Sequence, residues 1–347
     1  MTVTRAFVPI YLAVVAWAVV AGFPRLGALL SPAAGAPDTA VHTVLGLAAM
    51  LWALAAALRT FRPRPPTDFS RQFAKNHAAV IGMNGALLLG LLTLVTPMIA
   101  PFDPIQLDVG PHLAAPSAAH WLGTDEFGRD CLSRCLYGAR VSLVIGFVAV
   151  SIAASVGTTI GSLAGFYGGL LDRALMWATD LLLSLPRLVL VLALVGVFRP
   201  QGATRAFVLV AILGATGWMG VARMVRAQVL SLREQDFVAA ARALGVPTHR
   251  ILLRHLVPNV LAPVIVFASL AVGSTMLAEA ALSYLGLGVA PPTATWGALV
   301  SEGREVMRTA PWVTFVPGLL IGFAVMSFNL IGDGLRDALD PRLRGRS

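Results

Sequence analysis

From Val141 to Gly165 the chain runs for 25 residues without a single charged side chain. About twenty apolar residues suffice to carry a helix across the hydrocarbon core of a bilayer, and this run is one of eight. The others are Phe7–Phe23, Ala40–Leu58, Ala78–Ala100, Ala174–Phe198, Ala206–Val225, Val260–Leu282 and Trp312–Ile331. A length of 347 residues would allow two or three soluble domains. The spacing of the runs points instead to one polytopic membrane domain. Composition agrees, with 57% of residues apolar and 12% charged, about half the charged share of a soluble domain.

The first run competes with a secretory signal. Arg5, the apolar stretch behind it and "AAGA" resemble the parts of a signal peptide, but Pro37 directly after that sequence disfavours cleavage. A retained span is the expectation. Net charge is +9, carried by 25 Arg and the single Lys75. No basic stripe interleaved with aromatics accompanies it, so nucleic acid is not an expected partner. In a membrane chain a basic excess marks cytoplasmic loops. Residues 59–75 hold five basic side chains against one acid, and residues 223–254 hold six against two. The tail from Arg336 adds four basic residues, whereas residues 101–140 carry five acids against three bases. Eight spans with both termini cytoplasmic satisfy this pattern; Arg25, Arg199 and Arg205 are its exceptions.

Pro63, Pro65 and Pro66 read as a short stiff linker. The expected divisions are an N-terminal hairpin with a basic Pro-rich linker (1–75), a first core helix with its extracytoplasmic loop (76–138), a transport domain (139–335) and a cytoplasmic tail (336–347). Within the transport domain, residues 231–258 form a cytoplasmic loop.

That loop contains "EQDFVAAARALG", Glu234 to Gly245. Ser231 and Glu234 are spaced as a capping box, and Glu234 and Asp236 suit the start of a helix dipole. Phe237, Ala241 and Leu244 fall at i, i+4 and i+7 as one narrow apolar face. Gly245 is a C-terminal stop and Pro247 opens a second helix, along which Arg250 and Arg254 lie one turn apart. Such a short helix is not stable alone. Its small alanine-rich face, Ala240 included, is poor for inserting into lipid and suits a protein groove, with Phe237 as an anchor.

"DFVAAARALGVPTHRILLRHLVPN" resembles the coupling-loop motif of permease subunits in ATP-binding cassette importers. "LGTDEFGRDCLSRCLYGARVSL" (Leu122–Leu143), "EAALSYLGLGVAPPTATWG" (Glu279–Gly297) and "FNLIGDGLRDALDPRLR" (Phe328–Arg344) resemble the dipeptide, oligopeptide and nickel branch. The resemblance covers Asn76 to Arg344. It implies an all-α polytopic fold, a six-helix type I core to which the N-terminal two-helix hairpin is extra. It implies a paralogous second permease, two cytoplasmic ATPase subunits and an extracytoplasmic solute-binding protein, in the inner (plasma) membrane. Cargo would be peptides, nickel chelates or related solutes. Glu234, Asp236, Phe237, Ala240, Ala241, Leu244, Gly245, Arg250 and Arg254 would then couple to the ATPase. Thr124, Asp125, Arg129 and Asp130 would form either a gate or receptor-facing plug, or a plain loop fastening the next helix. One departure stands out. The acid of the broad family signature falls on Ala239, so no role of that carboxylate carries over.

The chain has no P-loop, its only lysine lying in "QFAKNH"; ATP and magnesium would be used by partner subunits and no cofactor by this chain. The six histidines (42, 77, 112, 120, 249, 255) have no metal-ligand spacing. An intramembrane hydrolase would need a base near Ser151, Ser155, Ser162, Ser269 or Ser274; only His42 lies near a span interior. A secondary transporter or channel is the remaining alternative. Cys131 and Cys135 sit four apart on one helix, where an unstrained disulfide does not fit. Gly157, Gly161 and Gly165 repeat every four residues and clear a face for close helix packing. Asp180 and Glu279 are acids near or within apolar runs, with Arg187 beside Pro186. For both acids structural pairing and a translocation role stay open. Trp296 and Trp312 are expected at the membrane interface.

Overall fold

The computed structural model describes residues 68–198, 202 and 204–339. The two N-terminal runs, the proline linker, His42 and the end of the tail lie outside the described residues. Within them the chain is helical, and the sole strand-like feature is an isolated bridge between Thr124 and Asp130. The helices are α1 (Asp68–Lys75), α2 (His77–Ile99), α3 (Cys131–Tyr167), α4 (Gly169–Leu183), α5 (Arg187–Phe198), α6 (Thr204–Ala215) and α7 (Trp218–Arg233). They continue with α8 (Asp236–Ala243), α9 (Thr248–Ile251), α10 (Val257–Tyr284), α11 (Trp296–Glu302) and α12 (Trp312–Leu339). Five stretches are long and apolar enough to cross a membrane, and a sixth follows if α4 and α5 count as one span. The end of the bundle that holds residues 234–250 is called lower here, and the end that holds residues 100–130 upper.

Starts and stops are set by local chemistry. The Asn76 side chain caps α2 by accepting from the Ala79 amide at 3.1 Å. Asp130 caps α3 by accepting from Ser133 at 2.8 Å. α3 stops at Gly168, whose φ of +67° turns the chain into α4. With 37 residues, α3 is about 56 Å long and outreaches a hydrocarbon core of about 30 Å.

The run Ala174–Phe198 was expected as one span. It is broken at Ser184–Pro186, and its halves α4 and α5 are bent by 89°. Proline lacks the amide that would continue the helix and drives the residue before it out of the helical region. A second break, at Thr216 and Gly217, separates α6 from α7, with the Thr216 hydroxyl bonded back to the Ile212 carbonyl at 2.9 Å.

The tightest seam joins α3 to α7. A Cβ at Gly157 would lie 2.6 Å from the Trp218 carbonyl oxygen, and one at Gly165 2.8 Å from that of Arg226. One at Gly161 would press into the Ala222 carbonyl and lie 2.9 Å from the Val225 Cβ. Removing three β-carbons lets two backbones touch where there is no water to drive association, the usual route to helix packing in lipid. Val221, Val225 and Val229 of α7, all buried, seal the seam. On the opposite flank Ala79, Gly82 and Gly85 of α2 pack against α12. Large apolar side chains such as Ile81, Leu87, Leu91, Leu170, Leu319 and Met326 remain exposed on the outside of the bundle, as lipid-facing positions do.

Replacing Gly161 with leucine is expected to cost about 2 kcal/mol or more through overpacking and to lower the thermal midpoint of the detergent-solubilised protein. Gly90, where a Cβ meets nothing within 4 Å, serves as control: Gly90→Ala should not lower the midpoint and should raise it slightly, alanine being the better helix former.

Candidate functional site

At the lower end α7 runs out at Arg233. Glu234 is the residue that ends α7, and Gln235, with no side-chain bond, precedes α8. The expected capping box of Ser231 and Glu234 therefore does not form. α7 runs on through Ser231 and ends against Glu234, which bonds its neighbour Arg233 at 2.9 Å instead. Asp236 does lie in the first turn of α8. The expected single apolar face also divides in two. Val238 and Ala241 are buried against Val225, Val229, Ile251 and Leu252. Phe237, Ala240 and Leu244 are exposed on the other side, Leu244 at 83%. The physical reason is that an eight-residue helix needs a root, and the β-branched Val238, three residues from Ala241, supplies it.

α8 closes with a Schellman turn. The Val246 amide bonds the Ala241 carbonyl at 3.1 Å, and the Gly245 amide bonds that of Arg242 at 2.9 Å. Gly245 holds φ +71°, a left-handed conformation that glycine adopts without steric cost. Behind it, α9 passes through a π turn at Leu252–Leu256 directly into α10. Arg250 and Arg254 are exposed along this stretch. The Arg233 guanidinium also donates to the Gly165 carbonyl at 2.9 Å, tying the lower end of α7 to α3.

At the upper end the expected loop residues are buried and joined. Asp125 accepts from Arg129 and from Arg134, each at 2.7 Å. Glu302, at the end of α11, accepts from the same two arginines at 2.9 and 2.6 Å. Asp130 caps α3, bonds the Ser133 hydroxyl at 2.8 Å and lies 3.0 Å from His120. The Thr124 hydroxyl donates to the Pro111 carbonyl at 2.5 Å and accepts from the Ala114 amide at 2.8 Å. Two arginines and two carboxylates thus clamp the loop, the start of α3 and α11 into one block. Of its members, Arg134, Glu302 and His120 were not among the expected site residues. Arg134 lies four residues after Asp130, but nothing near Glu302 in sequence signals a partner 168 positions away.

In the membrane region Asp180 bonds Arg223 at 2.5 Å with both side chains well exposed, and Asp172 grips Arg226 twice, at 2.5 and 2.6 Å. Glu279 is buried and accepts from the hydroxyls of Ser283 at 2.8 Å and Thr295 at 2.9 Å. Trp296 departs from expectation. It is buried, and its indole donates to the Cys135 carbonyl at 2.9 Å; packing over Gly138 claims the ring that an interface would otherwise hold. Trp312 donates to the Thr124 carbonyl at 3.2 Å. The Cys131 and Cys135 thiols are both free and buried.

Long apolar helices, a small rooted helix projecting at one end and an ion-paired cap at the other define a membrane-embedded permease. Residues 157–345 match the family described as binding-protein-dependent transport system inner membrane component. Residues 66–116 match the N-terminal TM domain of oligopeptide transport permease C. A dipeptide transport system permease protein DppC from Alkalihalophilus pseudofirmus is 40% identical over 280 residues, 81% of this chain and 91% of its own. The oligopeptide transport system permease protein OppC of Bacillus subtilis is 39% identical over 277 residues, 80% of this chain and 90% of its own. The DppC of Haemophilus influenzae is 37% identical over 292 residues, 82% of this chain and 98% of its own. The chain belongs to this family of dipeptide and oligopeptide permeases, multi-pass proteins of the inner membrane. Neither family match reaches residues 1–65.

Asp125→Asn would leave the buried Arg134 without its most buried carboxylate. Breaking one side of such a network costs about 3–5 kcal/mol. The expected result is a large fall in thermal midpoint together with protease cleavage within residues 101–130.

Proposed function

We propose that the chain forms one half of the translocation pathway of an ATP-driven peptide importer, beside a paralogous permease. Two cytoplasmic ATPase subunits bind ATP and magnesium, and an extracytoplasmic binding protein delivers the peptide. The lower end is then cytoplasmic, in keeping with its basic loops, and both termini lie on that side. The observation that carries the reading is the two-sided α8. Val238 and Ala241 root it in the core, while Phe237, Ala240 and Leu244 face outward with no intramolecular load to bear. An apolar helical face presented this way suits a groove on another subunit.

Closure of the ATPases on ATP would push on α8. The Schellman turn and the continuous α9–α10 segment would pass that push to the bundle. Asp236, Arg250 and Arg254 lie on the exposed rim and would pair with the ATPase. Glu234, held by Arg233, helps fix the entry to α8. Ala239 brings no carboxylate, so the contact rests on shape and on these rim charges. At the upper end the clamp around Thr124, Asp125, Arg129 and Asp130 presents a rigid surface to the binding protein. Asp180 and Glu279 serve as structural anchors, and Gly157, Gly161 and Gly165 keep α7 against α3.

Leu244→Asp should abolish peptide-stimulated ATP hydrolysis while the subunit still inserts, and a cysteine at Phe237 or Leu244 should crosslink to an ATPase subunit. Gly245→Val places a β-branched residue at positive φ, a strain of about 1–2 kcal/mol or more, and should uncouple hydrolysis from uptake. Normal uptake by both variants would count against the docking reading.

A further inference from the structure

Three arginines of the bundle meet carboxylates. Arg223 meets Asp180, Arg226 meets Asp172, and Arg134 meets Asp125 and Glu302. Arg187 differs. It is the first residue of α5, at the break enforced by Pro186. Among the described residues no carboxylate stands within ion-pairing distance of it, and its guanidinium makes one long hydrogen bond, 3.4 Å to the Leu213 carbonyl.

Arg187 lines a cavity of about 310 Å³ bounded by α3, α6, α7 and α10. The wall is otherwise apolar, with small residues such as Ala149, Ala153 and Gly217 beside the larger Leu213, Phe267 and Leu270, except for the hydroxyl-bearing Ser274 and Thr275. The cavity sits halfway along the helices that form it. Ala149–Ala154 lie at the centre of the run Val141–Gly165, Leu213–Val221 at the centre of residues 204–233, and Phe267–Thr275 at the centre of α10. The two broken helices meet there. A Cβ at Gly217, in the second break, would lie 3.5 Å from the Arg187 guanidinium.

A full positive charge at mid-membrane depth is costly and is retained where it faces a cavity and finds a partner. Guanidinium favours carboxylate, which it grips through two parallel bonds. We infer that Arg187 is a specificity-determining residue of the translocation pathway, holding the terminal carboxylate of a passing peptide. The inference deepens the peptide-importer reading and rests on it. Every unmodified peptide carries that group, so one arginine can serve many sequences. Ala149, Ala153 and Gly217 leave room beside Arg187 for varied side chains, and Ser274 and Thr275 can satisfy peptide polar groups.

The test uses the complete complex in proteoliposomes with its binding protein. Cargoes are trialanine and its C-terminal amide, each supplied at equal occupancy of the binding protein as fixed by a separate affinity measurement. With the unaltered complex, uptake of free trialanine should exceed that of the amide about tenfold, the scale of one charge-assisted hydrogen bond. Arg187→Gln should remove that preference, chiefly by slowing the free peptide, and Arg187→Lys should keep part of it. Three outcomes would overturn the inference. One is an unchanged ratio in Arg187→Gln. Another is an equal loss on both cargoes, as expected if a carboxylate of the second permease or a lipid headgroup were the partner. The third is equal transport of both cargoes by the unaltered complex. A complex that imports neither, nor any peptide its binding protein holds, would overturn the peptide-importer reading itself.

Discussion

The close approach of α3 and α7 is the constraint on which the other features hang. Three glycines one turn apart remove the only side-chain atoms that would hold the two backbones apart, and the valines of α7 fill what remains. Because α7 is held this tightly, its lower end is a fixed platform. Val238 and Ala241 root against that platform, so the exposed side of α8 has a defined direction. The same seam fixes the break at Thr216 and Gly217 beside that at Pro186, which brings Arg187 to the central cavity. Packing in lipid gains nothing from expelling water; it is shape at these three positions that orders the centre of the molecule.

The upper end solves a different problem. Its loop of about thirty residues has almost no regular structure, and a loop of that length inside a compact protein needs its own means of support. Two arginines, two carboxylates and a capping aspartate provide it. Asp130 serves at once as the start of α3 and as the partner of His120 and Ser133. The order of the loop and that of the longest helix are therefore one event.

Much of this was legible in the residues. The long apolar runs placed the helices, the glycine period marked the seam, and Gly245 followed by Pro247 located the turn after α8. Where reading failed, partners distant in sequence decided the outcome. The face of α8 was read from hydrophobicity alone, but Val238 is buried because α7 and α9 converge on it, which no local pattern records. The Ser231 and Glu234 spacing is genuine, yet Ser231 lies inside α7 and Glu234 caps that helix's end. Trp296 has the composition of an interface residue and a location set by Cys135 and Gly138 on another helix. Glu302 carried no signal, since its partners lie about 170 residues away. The run ending at Phe198 looked continuous because apolar content does not register a proline's geometry; the proline itself was visible in the sequence.

The length of α3 has a mechanical consequence. One unbroken rod begins inside the arginine–carboxylate clamp and finishes at Gly165 and Gly168, where Arg233 secures it to the platform beneath α8. A rod of about 56 Å that tilts by about 10° swings its far tip through about 10 Å. A small nudge at the lower end thus becomes a large displacement at the upper end, with no need for a relay of individual side chains between them.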